Sequence, residues 1–212
     1  MRNKRIVSAL LCAVLLLSLC GCGGCGGAPE LAEIYDRTVE LVEGSRRLSV
    51  IFYGAGLPVY DKESVIYRDL YADDTSAYAK NYSIVDPRCG YLSVDALKAA
   101  AAEYWSPELL EKQVYPAAFD GLSATIGGSS SIAPARFQEN GDRLYCLDGV
   151  AENAPAQLIF DYSTLALVRP SNAHRVLLTL DAWELGKPET KFAYRLTLVN
   201  VDGTWLLDKV VI

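Results

Sequence analysis

The sequence has few of the side chains on which metal binding and acid–base catalysis usually depend. His174 is its single histidine, and beyond residue 25 the chain has only two cysteines, Cys89 and Cys146. They are far apart in sequence and form no Cys-x-x-Cys spacing, which is the usual local signature of a zinc site. We therefore expect neither a bound metal nor a cofactor.

Positive charge is also in short supply once the first residues are set aside. The chain carries 20 lysines and arginines against 26 aspartates and glutamates, which gives a net charge of −6. Arg2, Lys4 and Arg5 lie in a first segment without acids, so removal of that segment would take the charge to −9. An acidic domain is repelled by the phosphates of nucleic acids and by anionic lipid head groups. We therefore expect no nucleic-acid partner.

Long apolar runs are absent except at the start of the chain. The run from Ile6 to Leu19 is broken only by Ser8 and Ser18, follows a basic start and precedes a glycine-rich segment. It is shorter than the ~20 residues that a transmembrane helix needs, and the pattern is typical of a secretory signal. No later run approaches ~18 apolar residues, so we expect the rest of the chain not to span a membrane.

The end of this run resembles the lipobox of bacterial lipoproteins, in the stretch Leu19-Cys20-Gly21-Cys22. A lipobox has an aliphatic residue at minus three and a small residue at minus one, before the lipid-bearing cysteine. Cys20 and Cys25 fit this pattern less well, and the alternative is an ordinary signal whose cysteines are incidental. The resemblance implies cleavage before Cys22 and lipidation of Cys22. Several acyl chains together would then anchor the protein stably on the extracytoplasmic face of the cell membrane.

We therefore divide the chain into a signal peptide (1–21), a lipidated glycine-rich tether (22–29) and a single domain (30–212). The first half of this domain has a helical pattern. An apolar stripe with spacings of three and four predicts a helix from about residue 31 to 52, ended by Gly54. Two further helices are predicted after the capping serines Ser93 and Ser106. Pro116 should end or kink the second of these.

The second half of the domain has a strand pattern, after a predicted loop at 121–134. Asn140-Gly141 predicts a hairpin. Two short runs, 157–162 and 164–168, form another predicted strand pair. The last three strands, which should pair as an antiparallel meander, are predicted at 175–183, 191–201 and 204–212. Helices followed by antiparallel strands predict an α+β fold, with the helices packed on one face of a strongly bent sheet.

Four stretches of the chain resemble uncharacterised lipoproteins of Gram-positive, clostridia-type bacteria. They are residues 51–58, 93–121, 135–137 with 144–145, and 203–208. Those lipoproteins look similar to the nuclear transport factor 2-like or cystatin-like fold, in which a few helices are wrapped by a strongly bent sheet. The resemblance implies a location and a fold and carries no known activity. A weaker likeness is to secreted inhibitors of cell-wall endopeptidases, although no defined inhibitory motif matches.

Four side chains are candidates for ligand binding. Arg136 lies in a predicted strand, and if it points into the hollow of a bent sheet its guanidinium can bind a carboxylate or another anion. The alternative is an arginine paired with a neighbouring acid or lying on the outer face. Trp183, Tyr194 and Trp205 lie on the late strands and, if exposed together, would form a face for sugar or peptide. Alternatively they are core residues or cross-strand pairs.

The two cysteines of the domain leave two interpretations open. A disulfide between Cys89 and Cys146 is permitted outside the cytoplasm. The alternative is two buried thiols that pack as small apolar side chains.

The remaining candidates for chemistry are better explained by structure. His174 has no nucleophile or carboxylate beside it, and residues 127–131 match neither a nucleophile elbow nor a P-loop. The pairs Asp73-Asp74 and Glu108 with Glu111 are sequence neighbours, which does not establish two carboxyl groups facing one cleft. We therefore expect no enzyme activity.

Three functional hypotheses follow, in this order. The first is a non-catalytic binding module of the cell envelope, with a peptide, a glycan or an envelope protein as partner. The second is an accessory protein or inhibitor of a cell-wall hydrolase, which would need an exposed acidic loop to enter the enzyme's cleft; the only plausible stretch is 69–74, with Asp69, Asp73 and Asp74. The third is an enzyme with an unrecognised site.

Overall fold

The structure is a computed structural model that describes residues 27–72, 81–126, 129–149 and 157–212. The predicted signal peptide, Cys22 and most of the tether lie outside the described residues. No helix in the described part of the chain is both long and apolar enough to cross a membrane.

The first helix, α1, spans Leu31–Phe52 and has the bounds that the apolar spacing predicts. At its start the backbone N–H of Glu30 donates to the carboxylate of Glu33 across 2.9 Å, which satisfies a donor that has no partner within the helix. Leu41 and Val42 are fully buried on its apolar face. The helix ends before Gly54, as predicted.

The other helices are short. They are α2 (Val65–Ala72), a 3-10 turn (Pro87–Cys89), α3 (Val94–Ala102) and α4 (Pro107–Leu109). The predicted caps are confirmed, because Ser93 Oγ accepts from Ala96 N at 3.1 Å and Ser106 Oγ from Leu109 N at 3.2 Å.

The helical path continues beyond α4 as two π turns, Leu110–Val114 and Pro116–Asp120. Pro116 therefore does not end the helical path. It occupies the first position of the second π turn, where no N–H is needed. The path stops at Gly121, whose φ of +79° favours glycine.

Three short strands form the first sheet, in the order β1 (Tyr82–Ile84), β5 (Arg143–Leu147), β4 (Phe137–Asn140). The predicted hairpin is confirmed. Asn140 pairs with Arg143, so the two-residue loop is Gly141-Asp142, one residue later than the dipeptide that predicts it.

The predicted loop at 121–134 is wrong. This segment contains two antiparallel strands, β2 (Leu122–Ile126) and β3 (Ser129–Ala133). Neither strand contains the glycines that suggested a loop, and the weak preference of serine against strands is overridden by backbone pairing.

Four strands form the main sheet, in the order β6 (Leu158–Val168), β7 (Arg175–Glu184), β8 (Lys187–Val201), β9 (Thr204–Leu207). The predicted meander of the last three is confirmed. The predicted pair at 157–162 and 164–168 is wrong, because both runs belong to β6. The register with β7 shifts between Asp161 and Ala166, which marks a bulge, and within it Thr164 Oγ1 accepts from Asp181 N at 2.8 Å.

The core lies between α1 and one face of the main sheet and extends to the other helices. Leu178, Leu180, Leu196 and Leu198 point to this face and are at most 1% exposed. A smaller apolar cluster joins α2 to the first sheet through Tyr67 and Tyr145. The fold is therefore α+β with antiparallel sheets, as predicted. The strands of the described residues form three sheets rather than a single one.

Candidate functional site

An open cavity of about 350 Å³ lies between the second half of α1 and the start of β6. Its volume is at the lower end of the range for small-molecule sites. The charged part of its wall comes from α1, through Glu43, Arg46 and Arg47. The apolar part comes from Val50, Leu158 and Ile212.

Two of the charged side chains are held in place by neighbours. Arg46 Nη1 lies 3.1 Å from a carboxylate oxygen of Glu43, and the guanidinium lies over the ring of Phe160 at 5.6 Å. The hydroxyl of Tyr162 donates to the same carboxylate across 2.5 Å. Burial, together with the hydrogen bond to Glu43, raises the pKa of Tyr162 above its ordinary value. Tyr162 and Phe160 therefore hold the cavity residues Glu43 and Arg46 in place.

Two other polar side chains at the cavity are uncommitted. Arg47 and Gln157 line the cavity and are exposed. Neither side chain forms a hydrogen bond or an ion pair with another described residue. They are therefore available to a ligand.

A buried hydrogen-bond network places the last residues of the chain against α1. The backbone N–H of Val211 donates to Ser45 Oγ at 3.0 Å, and Ser49 Oγ donates to the carbonyl of Val211 at 2.5 Å. Val211 is fully buried, whereas Ile212 beside it is 39% exposed. The network thus positions Ile212 as part of the cavity wall.

Arg136, the predicted anion-binding residue, donates hydrogen bonds to backbone carbonyls near the end of α1. Its Nε donates to the carbonyl of Ile51 at 2.7 Å, and its Nη2 donates to the carbonyl of Gly54. The carbonyls at the end of a helix have no partner within the helix, so the guanidinium caps α1. Burial lowers the pKa of Arg136 below its ordinary value. These contacts give Arg136 a structural role, and a ligand role stays a prediction.

The three candidate aromatic residues do not share an exposed face. Tyr194 pairs with Leu180 and Trp205 with Asn200, and both aromatic rings pack against the core on the α1 side of the main sheet. Trp183 pairs with Ile159 on the opposite face. Burial raises the pKa of Tyr194. Successive residues of a strand point to opposite faces of the sheet. The position of Trp183 in β7 therefore places it on the face opposite to Tyr194 and Trp205.

The disulfide that the sequence left open is not present in the structure, in which Cys89 and Cys146 are both free thiols. Cys146 is 3% exposed and packs so closely on Gly56 that a Cβ there would lie 2.8 Å from its Sγ. Cys89 is half-buried in the 3-10 turn, and its Sγ lies 3.5 Å from the carbonyl of Tyr91. Both sulfurs therefore act as packing groups, which was the alternative interpretation.

The remaining residues considered from the sequence do not come together. His174 is exposed in the turn before β7. Glu108 forms an ion pair with Lys112 across 2.6 Å, and this contact lowers the pKa of the carboxyl group. Asp69 is exposed on α2, whereas Asp73, Asp74 and residues 127–128 lie outside the described residues. Among the described residues, no three His, Cys, Asp or Glu side chains are grouped so that they can hold a metal.

The sequence patterns did not predict which residues line the cavity. The only local signal is a pair of adjacent arginines three residues after Glu43 on the polar side of α1. That pattern is ordinary for a solvated helix face. In comparisons with known proteins, no family model and no curated protein matches this chain.

Proposed function

We propose that the protein is a lipoprotein anchored through Cys22 to the extracytoplasmic face of the cell membrane, with a non-catalytic binding module of the cell envelope behind the anchor. The sequence Leu19-Cys20-Gly21-Cys22 supports the anchor. The cavity between α1 and β6 is the observation on which the binding module rests, because fixed charges, free polar groups and an apolar wall converge there.

The anchor is tested by metabolic labelling with palmitate and by fractionation. We expect Cys22→Ala to abolish labelling and to release the chain from the membrane fraction. Cys20→Ala and Cys25→Ala are the matched controls, and both should keep the label. Labelling that survives Cys22→Ala, or that is lost in Cys25→Ala, would contradict the assignment.

The binding module is tested by a thermal-shift screen of the full chain with peptides, peptidoglycan fragments, sugars and small anions. A ligand that binds only the folded state raises Tm by mass action. The variant Val50→Trp places a large side chain at an exposed position of the cavity wall and should remove the shift. Val65→Trp is the control, because Val65 is also an exposed helical valine and lies on α2. A screen without any shift, or a shift that survives Val50→Trp, would count against the proposal.

The finer fold assignment belongs to the same proposal. We infer that α1 and the main sheet correspond to the helix and the bent sheet of the nuclear transport factor 2-like or cystatin-like fold. The support is one long helix that packs on four consecutive antiparallel strands. An experimental structure in which the main sheet is flat beneath α1 would overturn the inference.

A further inference from the structure

Within the described part of the chain, the cavity has one cation that no neighbouring side chain neutralises. Arg46 is paired with Glu43 and stacked on Phe160. Arg47 follows it on α1, lines the same cavity and has no such partner among the described residues. A guanidinium presents a planar fork of donors that fits a carboxylate with two parallel hydrogen bonds. The uncommitted charge therefore favours an anionic ligand with a planar head group.

The apolar part of the wall favours an apolar group on the same ligand. Val50 is 46% exposed and Ile212 is 39% exposed, and both line the cavity together with Leu158. Apolar side chains that stay exposed on a concave surface gain free energy when a ligand covers them. The volume of about 350 Å³ is adequate for a group of a few carbon atoms beside the carboxylate.

Gln157 decides between a peptide and a simple aliphatic acid. Its exposed side chain offers one carbonyl acceptor and an NH₂ donor at the cavity. A peptide bond presents the complementary donor and acceptor, whereas an aliphatic acid has neither beyond its carboxylate.

We infer that the cavity binds the free carboxyl terminus of a short peptide with an apolar last residue. Arg47 binds the carboxylate, Val50 and Leu158 contact the last side chain, and Gln157 pairs with the preceding peptide bond. The inference rests on the proposed binding function and specifies its ligand class.

The test is isothermal titration calorimetry on the full chain with three probes. The first probe, N-acetyl-alanyl-leucine, carries every recognised group. The second is the same dipeptide with a C-terminal amide, which lacks the charge. The third, 4-methylpentanoate, keeps the carboxylate and the side chain but has no peptide bond. We expect the free acid to bind best and the amide at least about tenfold more weakly, since one lost charge-assisted contact corresponds to such a factor. Arg47→Gln should weaken the binding of the free acid about tenfold and leave the binding of the amide unchanged.

Control variants separate this inference from the proposed function. Arg195→Gln removes the same charge from an exposed position on β8 and should leave the affinity for the acid unchanged. Equal binding of the acid and the amide would overturn the role of Arg47 while the binding module stands. Tighter binding of 4-methylpentanoate than of the dipeptide would overturn the peptide assignment. If none of the probes binds but another class in the thermal-shift screen does, the ligand class is wrong and the proposed function survives.

Discussion

The indole Nε1 of Trp105 donates a hydrogen bond to Ser45 Oγ across 2.8 Å, and both side chains are fully buried. The same oxygen accepts from the backbone N–H of Val211 at 3.0 Å and donates to the carbonyl of Val211 at 3.3 Å. A hydroxyl group offers one donor and two acceptor sites, so its capacity is fully used. One serine therefore joins α1, the residues before α4 and the last residues of the chain.

We predict that Ser45→Ala lowers the free energy of unfolding by about 2–6 kcal/mol, because two buried N–H donors lose their acceptor at about 1–3 kcal/mol each. Urea denaturation measures the loss. Ser49→Ala is the matched control: it removes one bond to the carbonyl of Val211, which keeps its bond from Ser45. The control should cost about 1 kcal/mol. A loss in Ser45→Ala no larger than in the control would contradict the network.

Arg136 gives the second prediction. Arg136→Met keeps the apolar stem but leaves the carbonyls of Ile51 and Gly54 without their charged donor. We expect a loss of about 2–4 kcal/mol, because hydrogen bonds to charged groups are stronger than neutral ones.

The control for that prediction is Arg143→Met. Arg143 Nη1 donates to one backbone carbonyl, that of Leu70, at 2.6 Å. Chemical denaturation of both variants compares the stability lost when two carbonyls lose their donor with the stability lost when one carbonyl does. Similar losses would argue that the cap on α1 contributes little.

The parts of the fold that were predictable are those with a strong local rule. The helix at 31–52 and the strands β7 and β8 have an apolar spacing that holds over many residues, and one face of each is buried against the other. The predicted last strand at 204–212 is too long, because β9 ends at Leu207. The caps Ser93 and Ser106 depend only on their own turn. The bulge in β6 was missed because its polar residues have the composition of a turn, and only the pairing with β7 shows otherwise.

The candidate site was not predictable, because chain folding brings together residues that are distant in sequence. Arg47 on α1 lines the same cavity as Leu158 on β6 and Ile212, because the main sheet packs on the helix. Arg136 illustrates a second limit: the sequence predicts it within a strand, whereas β4 begins one residue later at Phe137, and no pattern predicts that its guanidinium reaches the end of α1. The direction of a long side chain depends on tertiary contacts that no local pattern records.

A third prediction concerns the pH dependence of stability. Burial is the main cause that raises the pKa of the Cys146 thiol above its ordinary value of 9.0. Above pH 9 the unfolded chain therefore releases a proton that the folded chain retains, and this release stabilises the unfolded state relative to the folded one. The free energy of unfolding should thus fall as pH rises through 9 toward the pKa of the folded thiol.

Denaturation curves between pH 8 and 10 with two cysteine variants test this sign. Cys146→Ala should flatten the decline, whereas Cys89→Ala should keep it. The half-buried tyrosines Tyr53 and Tyr194 also have raised pKa values, from an ordinary 10.0, so they act in the same direction mainly at higher pH. Equal slopes for the two variants would assign the decline to other groups.

The last prediction concerns the contact between Gly44 and Tyr104. A Cβ added to Gly44 would lie 2.0 Å from Tyr104 Cε1, closer than the 3.0 Å that real Cβ contacts respect. Alanine is favoured over glycine inside a helix by about 1 kcal/mol. Overpacking against the ring costs about 1–3 kcal/mol, so Gly44→Ala should destabilise the protein. In a Tyr104→Ala background the clash is gone, and the same change should stabilise it by up to about 1 kcal/mol. A double-mutant cycle measured by chemical denaturation gives this coupling. An equal effect of Gly44→Ala in both backgrounds would mean that the ring does not explain the glycine.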